Sequence, residues 1–305
     1  MLRRAGLAAQ YLIPTALIII AILQIRQPNT TYHVLSIVLL LTLIASWKIT
    51  GILDWSRRFT INLVLYLVLP IALIAIWKIA DIVGWIQPYT MPPPEDVLMT
   101  GVEFIKDGTL YQHTKASIIR VLEGFAIALV LALTLGIAIG LSPQVDRLTK
   151  AIIQVVQPIP PIAWIPLAIL WFGIGEGSKI YIIAIGAFFP ILINTIEGIR
   201  NIDPKFLELA KVYETSRRRV IARIILPGAA PFIMAGVRLG LSMAWICVVA
   251  AELIAAQAGI GYMLMDGRSL ARPDMVILGM LIIGVVGKAL DDLLRKITKK
   301  AIKWQ

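Results

Sequence analysis

Cysteine, histidine and charge are all scarce in this 305-residue sequence, and each shortage excludes something. The single cysteine, Cys247, sits inside an apolar run, so neither an intrachain disulfide nor a cysteine-based metal cluster can form. The two histidines, His33 and His113, are isolated and suit ordinary surface or loop positions. No pair of carboxylates, no metal-ligand cluster and no nucleophile with its base stands out, so the sequence offers no catalytic and no metal-binding candidate. The segment Gly173-Ile174-Gly175-Glu176-Gly177-Ser178-Lys179 superficially resembles a phosphate loop. A Walker A motif, however, closes Gly-Lys-Ser/Thr, and here Ser178 precedes Lys179 with Ile180 after it. ATP binding by this chain is not expected. Charged residues make up 15% of the chain, where soluble domains average about 25%. The net charge of +11 would suit nucleic acid, but the lysines and arginines fall in short clusters between apolar runs.

What is abundant is apolar surface: 59% of residues are hydrophobic and the mean hydropathy is +0.85. That excess is too large for one buried core, so lipid is the expected solvent for much of the surface. Hydropathy marks about eight spans, near Leu7–Ile25, His33–Ile49, Ile61–Ala80, Ile118–Leu141, Ala151–Ile174, Ile180–Ile199, Ala229–Ala255 and Met275–Leu290. All are expected to be helices, because the runs are too long and too continuously apolar for barrel strands. Arg3 and Arg4 before the first run fit a signal peptide, but no small-x-small cleavage site follows before Arg26. An uncleaved first transmembrane helix is therefore expected.

The basic residues set an orientation. With the N-terminus in the cytoplasm, 19 of the 29 Lys and Arg residues face inward and six face outward, which predicts both termini inside. Two connections are long enough to do more than join spans. The outward one, 81–117, contains Pro92-Pro93-Pro94 and then apolar Val97, Leu98, Val102 and Ile105 at helical spacing, consistent with a short surface helix over Glu95–Ile105. The inward one, 200–227, starts a helix at Asp203 and Pro204, with a first short helix over Phe206–Val212. Ser216 is placed to cap a second short helix running to Leu226 and ending at Pro227.

That inward loop carries a motif. Glu208, Leu209 and Ala210, then Glu214, then Ile224-Ile225-Leu226-Pro227 stand at the spacing of E-A-A-x3-G-x9-I-x-L-P. The sequence thereby resembles the permease subunits of binding-protein-dependent ABC importers, whose cytoplasmic loop carries that pattern. Two positions depart: Leu209 replaces the first Ala, and Glu214 replaces a Gly able to end the first helix in a left-handed conformation. Within the importers it is most similar to the nitrate, taurine, alkanesulfonate and bicarbonate group. The segments that carry this are Pro92–Leu98, Pro160–Leu167, Trp171–Glu176, Ala250-Ala251-Glu252 and Gly259-Ile260-Gly261-Tyr262. The match covers about Ile61 to Lys296.

The resemblance implies an all-α membrane protein with the type I ABC importer transmembrane fold, about eight helices as a core of six plus an N-terminal hairpin. The expected division is 1–58 as the extra hairpin, 59–117 as a helix with the extracytoplasmic segment, and 118–305 as the core permease. It also implies multi-pass placement in a bacterial inner membrane and a second permease copy, giving a homodimer. ABC ATPase subunits would bind ATP and Mg at the cytoplasmic face, and a substrate-binding protein would dock outside; no cofactor is implied in this chain. The coupling residues would be Pro204, Leu207, Glu208, Ala210, Glu214, Thr215, Ser216, Arg217, Arg218 and Pro227. A small oxyanion or sulfonate is the implied cargo, with a small organic or heterocyclic nutrient as the alternative. A secondary transporter or channel is another alternative, but no convincing inverted repeat is visible.

Ionisable residues inside spans are functional candidates by default. Arg238 and Glu252 share one helix face, about 21 Å apart along the axis, and join Trp164, Asn194 and Trp245 as translocation-path candidates. Helix-end snorkelling of Arg238 and core packing of the tryptophans are the ordinary alternatives. Arg120 and Glu123 read as a local i,i+3 pair. The Gly136/Gly140 and Gly236/Gly240 spacings permit close helix approach within the bundle.

Overall fold

The computed structural model describes residues 70–71 and 73–301. Contacts divide the chain into two compact units, Met1–Ile79 and Ala80–Gln305. In the first, 73–79 is helical. The expected hairpin over 1–58 and most of the third span lie outside the described residues.

The second unit is helical throughout its described regular structure. Helix α1 (Pro94–Lys106) starts on a proline with Glu95 and Asp96 in its first turn, where a missing N–H costs nothing and acidic charge suits the helix dipole. Helix α2 (Thr109–Leu141) follows a left-handed Gly108. Its 33 residues are about 50 Å long, and it begins nine residues before the hydropathy signal because its first turns are polar. Helix α3 (Pro143–Val156) and helix α4 (Ile165–Phe172), the latter preceded by a 3-10 turn over Pro161–Trp164, replace the expected straight span Ala151–Ile174. The two halves bend by 89°, because Pro158, Pro160 and Pro161 cannot continue the hydrogen-bond ladder. Helix α5 (Glu176–Arg200), helix α6 (Pro204–Val212), helix α7 (Leu226–Ala255), helix α8 (Ile260–Ser269) and helix α9 (Pro273–Ala301) complete the order.

Among the described residues four helices are long and apolar enough to cross a membrane, or five if the bent α3–α4 pair is one span. Helix α5 is the centre of the bundle, packed by α2 on one side and α7 on the other. Both paired-glycine spacings are used on it. A Cβ on Gly136 or Gly140 of α2 would come within 2.9 Å of Thr195 or Ile199. One on Gly236 or Gly240 of α7 would come within 2.5 Å of Asn194 or 2.7 Å of Ile191. Cys247 fills the remaining gap against Gly186, buried and free.

At the Pro273 end of α9, α1 packs across the helix through Val97, Thr100 and Phe104. The Thr100 hydroxyl donates to Asp274 at 2.6 Å, and Arg272 pairs with the same carboxylate at 2.8 Å. Leu98, Val102 and Ile105 of the expected apolar set point outward instead.

Candidate coupling helix and buried charge cluster

Helix α6 is delimited at both ends by local chemistry. Asp203 caps it, accepting from the Lys205 amide at 2.9 Å, and Pro204 takes the first helical position, as the sequence places them. At its other end the Thr215 amide reaches the Ala210 carbonyl at 2.9 Å and the Glu214 amide reaches Lys211 at 3.0 Å. This six-to-one plus five-to-two pairing is a Schellman turn, which needs a left-handed residue at its hinge. Glu214 is that residue, at φ 48°. The motif's missing glycine has not changed the turn; glutamate adopts it at a cost of about 1–2 kcal/mol.

Beyond the hinge the expected second short helix does not stand alone. Ser216 occupies the capping position but its side chain makes no cap bond, and Arg219 and Val220 bond its backbone carbonyl instead. The turn Arg217–Val220 passes through a π-turn, Ile221–Ile225, directly into α7. There the Leu226 amide reaches back to the Ile221 carbonyl, shifting the ladder just before Pro227, which has no N–H to contribute. Pro227 therefore begins α7 rather than ending a loop helix. The loop holds one short helix and a rigid extension of a long one. Only Ala210 of α6 is buried; Glu208 faces water, and Phe206, Leu209, Val212 (78% exposed) and Tyr213 (74% exposed) form an uncovered apolar surface.

The opposite end of the bundle contains a cluster that sequence reasoning did not assemble. Arg120 on α2, only 7% exposed, donates to both Glu176 oxygens (Nε at 2.6 Å, Nη2 at 2.9 Å) and through Nη1 to Glu252 at 2.7 Å and the Ala258 carbonyl at 2.5 Å. Lys179 donates to Glu176 at 2.7 Å. Arg120, Lys179 and Glu252 are buried, and Glu176, whose side chain is 57% exposed, supplies the second negative charge from the rim. The Glu252 carboxylate, 1% exposed, also takes the Gly261 amide at 2.9 Å and the Ser117 hydroxyl at 2.8 Å. Ser117 Oγ in turn accepts the Ile260 amide at 2.8 Å, and His113 Nδ1 accepts the Gly259 amide at 3.1 Å. Three successive amides at the start of α8 are thus satisfied by side chains of α2 and α7. A Cβ on Gly259 would lie 2.3 Å from the Glu252 carboxyl carbon, at a φ of 131° that side chains rarely adopt.

The local Arg120–Glu123 pair gives way to this arrangement. Glu123 is exposed, and Arg120 points across the bundle. His113, expected at a surface or loop, lies on α2 and stacks near Tyr262 at 5.8 Å. One signal was available: Trp171–Glu176, Ala250–Glu252 and Gly259–Tyr262, quoted separately for the resemblance, are the segments that meet here.

Residues 124–300 match the family described as binding-protein-dependent transport system inner membrane component. The chain belongs to that family. It is 41% identical over 215 residues to the putative aliphatic sulfonates transport permease protein SsuC of Bacillus subtilis, covering 70% of this chain and 78% of that one. It is 36% identical over 222 residues to the taurine transport system permease protein TauC of Escherichia coli, covering 71% and 81%. A putative ABC transporter permease of Methanocaldococcus jannaschii is 44% identical over 199 residues, covering 65% and 74%. This permease is thus a membrane-spanning ABC importer subunit of a family that works with binding-protein partners and whose ATPase is a separate subunit.

The permease holds its path candidates in unlike settings. Trp245 is buried between α7 and α9, its indole N–H donating to the Ile283 carbonyl at 3.0 Å and its ring against Gly287. Asn194 is half-buried, donating to the Pro190 carbonyl at 2.8 Å inside α5. Trp164 is half-buried in the 3-10 turn before α4. Arg238 is exposed but engaged, with Nε 2.5 Å and Nη2 2.9 Å from Asp291 of α9. Glu252 is committed to the cluster. Arg217 and Arg218 are exposed and Thr215 half-buried, all beside the Glu214 hinge, and Leu207 is half-buried on α6.

Proposed function

We propose that two copies of this permease form one path, that an ATPase subunit docks on α6 of each from the cytoplasm, and that a binding protein delivers a small anion at the opposite face. The observation that carries the docking reading is the uncovered apolar surface of Phe206, Leu209, Val212 and Tyr213 around a buried Ala210. Clustered exposed apolar side chains mark a contact surface, and Glu208, exposed beside Val212, borders this one. Pro204, Leu207 and the Glu214–Arg218 hinge fix its angle, and α7, which grows out of the hinge without a break through Pro227, carries any push directly into the bundle.

In this reading both termini and α6 are cytoplasmic, the membrane is the bacterial inner membrane, and the Glu252 cluster lies at the outer end. The partner ATPase holds ATP and Mg. Residues 1–58 form an added hairpin, 59–117 a helix with the extracytoplasmic segment, and 118–305 the core permease. The path candidates remain Trp164, Asn194, Arg238, Trp245 and Glu252, of which the first three have open surface in this conformation. The cargo follows the sulfonate and taurine relatives: a sulfonate or similar oxyanion, with nitrate and bicarbonate as the smaller members of the class. The test is to purify the binding protein made with this permease and titrate it with taurine, alkanesulfonates, nitrate and bicarbonate. Tight binding of one anion supports the reading; binding only of an uncharged organic nutrient overturns the cargo.

A further inference from the structure

Helix α1 presents two unlike flanks beside the face it buries. At 3.6 residues per turn, Leu98, Val102 and Ile105 fall within an arc of about 60°, and Asp96 and Glu103 lie together about 140° from its centre. All five side chains are exposed. The buried face, Val97, Thr100, Gly101 and Phe104, lies between the two flanks on one side of the helix.

Contacts with α9 fix where each flank points. At the first turn of α9, Asp274 accepts from the Thr100 hydroxyl at 2.6 Å and from Arg272 at 2.8 Å, and the Arg272 guanidinium stands 5.9 Å from the centre of the Phe104 ring. One turn further along α9, Leu278 meets Gly101, where an added Cβ would come within 3.2 Å of its Cδ1. Passing round α1 from Thr100 to Gly101 therefore moves along α9 from its end toward its middle. The next side chains in that direction are Ile105, Leu98 and Val102; in the other direction they are Asp96 and Glu103. On α9 itself, Leu281 and Val285 lie within about 60° of Leu278, and both are exposed on a helix long and apolar enough to cross a membrane. The apolar flank of α1 thus faces along an apolar helix surface, and the acidic flank faces beyond its end.

A soluble partner approaching from beyond the end of α9 meets Asp96 and Glu103 first, with Leu98, Val102 and Ile105 turned away from it. Lipid lies on the side to which those three point. Trp85 and Tyr89, exposed on the connection leading into α1, are of the residue types that gather where lipid meets water. Residues 95–107 hold four carboxylates and one lysine, so no attraction to anionic headgroups is built in and the contact rests on apolar area.

We propose that α1 is a membrane-interface helix, with its Leu98–Val102–Ile105 flank seated on phospholipid at the boundary of headgroups and acyl chains and its Asp96–Glu103 flank in water. That this is the outer leaflet rests on the reading that puts the Glu252 cluster at the outer end.

The test places nitroxide spin labels on the transporter assembled with its ATPase in phosphatidylcholine liposomes. Cys247 is buried and is replaced by alanine in the parent. Single cysteines are introduced by Leu98→Cys and Ile105→Cys on one flank and by Asp96→Cys and Glu103→Cys on the other, and each variant is used as the complex that co-purifies with the ATPase. Labels at 98 and 105 are expected to collide with oxygen in preference to a water-soluble nickel chelate, at a depth of about 5–10 Å below the headgroup boundary. Labels at 96 and 103 are expected to show the reverse preference. Added phosphatidylglycerol should leave both results unchanged. Preference for the nickel chelate at 98 and 105 overturns the inference, because α1 then stands in water. Low access of both reagents there, with or without the binding protein, overturns it in favour of a protein cover. A seat that forms only with phosphatidylglycerol overturns the apolar basis. Sidedness is read separately in sealed spheroplasts, where an impermeant maleimide should reach Glu103→Cys directly and Lys205→Cys on α6 only after permeabilisation. The opposite pattern counts against the outer-end reading, while the spin labels still decide the lipid seat.

Discussion

Replacing Glu252 by alanine removes the carboxylate on which the far end of the bundle converges. Arg120 keeps Glu176 but is left with excess positive charge, and the Gly261 amide and Ser117 hydroxyl lose their acceptor in a site 1% exposed. Hydrogen bonds between membrane helices average only about 0.6 kcal/mol each, so the bonds alone account for a small loss. Stranding one member of a buried ion pair costs about 3–5 kcal/mol, and that is the effect expected to dominate. At roughly 2–4 °C per kcal/mol for a chain of this size, the unfolding midpoint of the purified transporter should fall by about 6–20 °C. Glu252→Gln retains an acceptor for Gly261 but not the charge, and is expected to fall between alanine and wild type. Combining Glu252→Met with Arg120→Met leaves Glu176 and Lys179 as a neutral pair. The double variant should therefore be more stable than the sum of the singles by at least about 1 kcal/mol. Thermal scanning in lipid nanodiscs of these five variants, the two single methionine changes included, decides the matter. A Glu252→Ala midpoint within about 2 °C of wild type, or strictly additive losses, would refute the reasoning.

Three further outcomes follow from single positions. Gly259→Ala forces a Cβ 2.3 Å from the Glu252 carboxyl carbon and should lower the midpoint about as far as Glu252→Ala; an unchanged midpoint would show that the α7–α8 connection moves aside easily. Glu214→Gly relieves a left-handed glutamate at φ 48° and should raise stability by about 1 kcal/mol while ATPase association is kept; lost association would show that the carboxylate makes a needed contact. Glu208→Ala should reduce co-purification of the ATPase while leaving the midpoint within about 1 °C, since the side chain is exposed; full co-purification with undiminished ATP hydrolysis would count against docking on α6.

What could be read in the sequence was what is local. Asp203 and Pro204 announce α6 because capping needs only neighbouring residues, and Glu214 stood out because a glycine position in a short motif carries a backbone requirement. The paired glycines of α2 and α7 likewise declared close packing, though not that both would close on α5. The Glu252 cluster was out of reach for a physical reason: Ser117 and Glu252 are 135 residues apart. Helical spacing assigned Arg120 to its neighbour Glu123, whereas the bundle turns it across to Glu176 and Glu252. The prolines at 158, 160 and 161 were visible as interruptions of a span. Hydropathy measures how apolar a stretch is and not where it points, so the 89° turn had no trace in it. The merging of Arg217–Ile225 into α7 was hidden in the same way, since a π-turn differs from an α-turn only in which carbonyl the amide chooses.

The central claim is that force enters this permease through α6. Its most direct measurement is ATP-driven uptake by liposomes containing the permease and its ATPase, with ATP inside and loaded binding protein outside, comparing wild type with Val212→Asp and Tyr213→Asp. Both side chains are exposed, so the fold should tolerate the change. The account predicts that uptake requires ATP and binding protein, and that either aspartate detaches the ATPase and abolishes uptake. Uptake at the wild-type rate with both aspartates in place would contradict it.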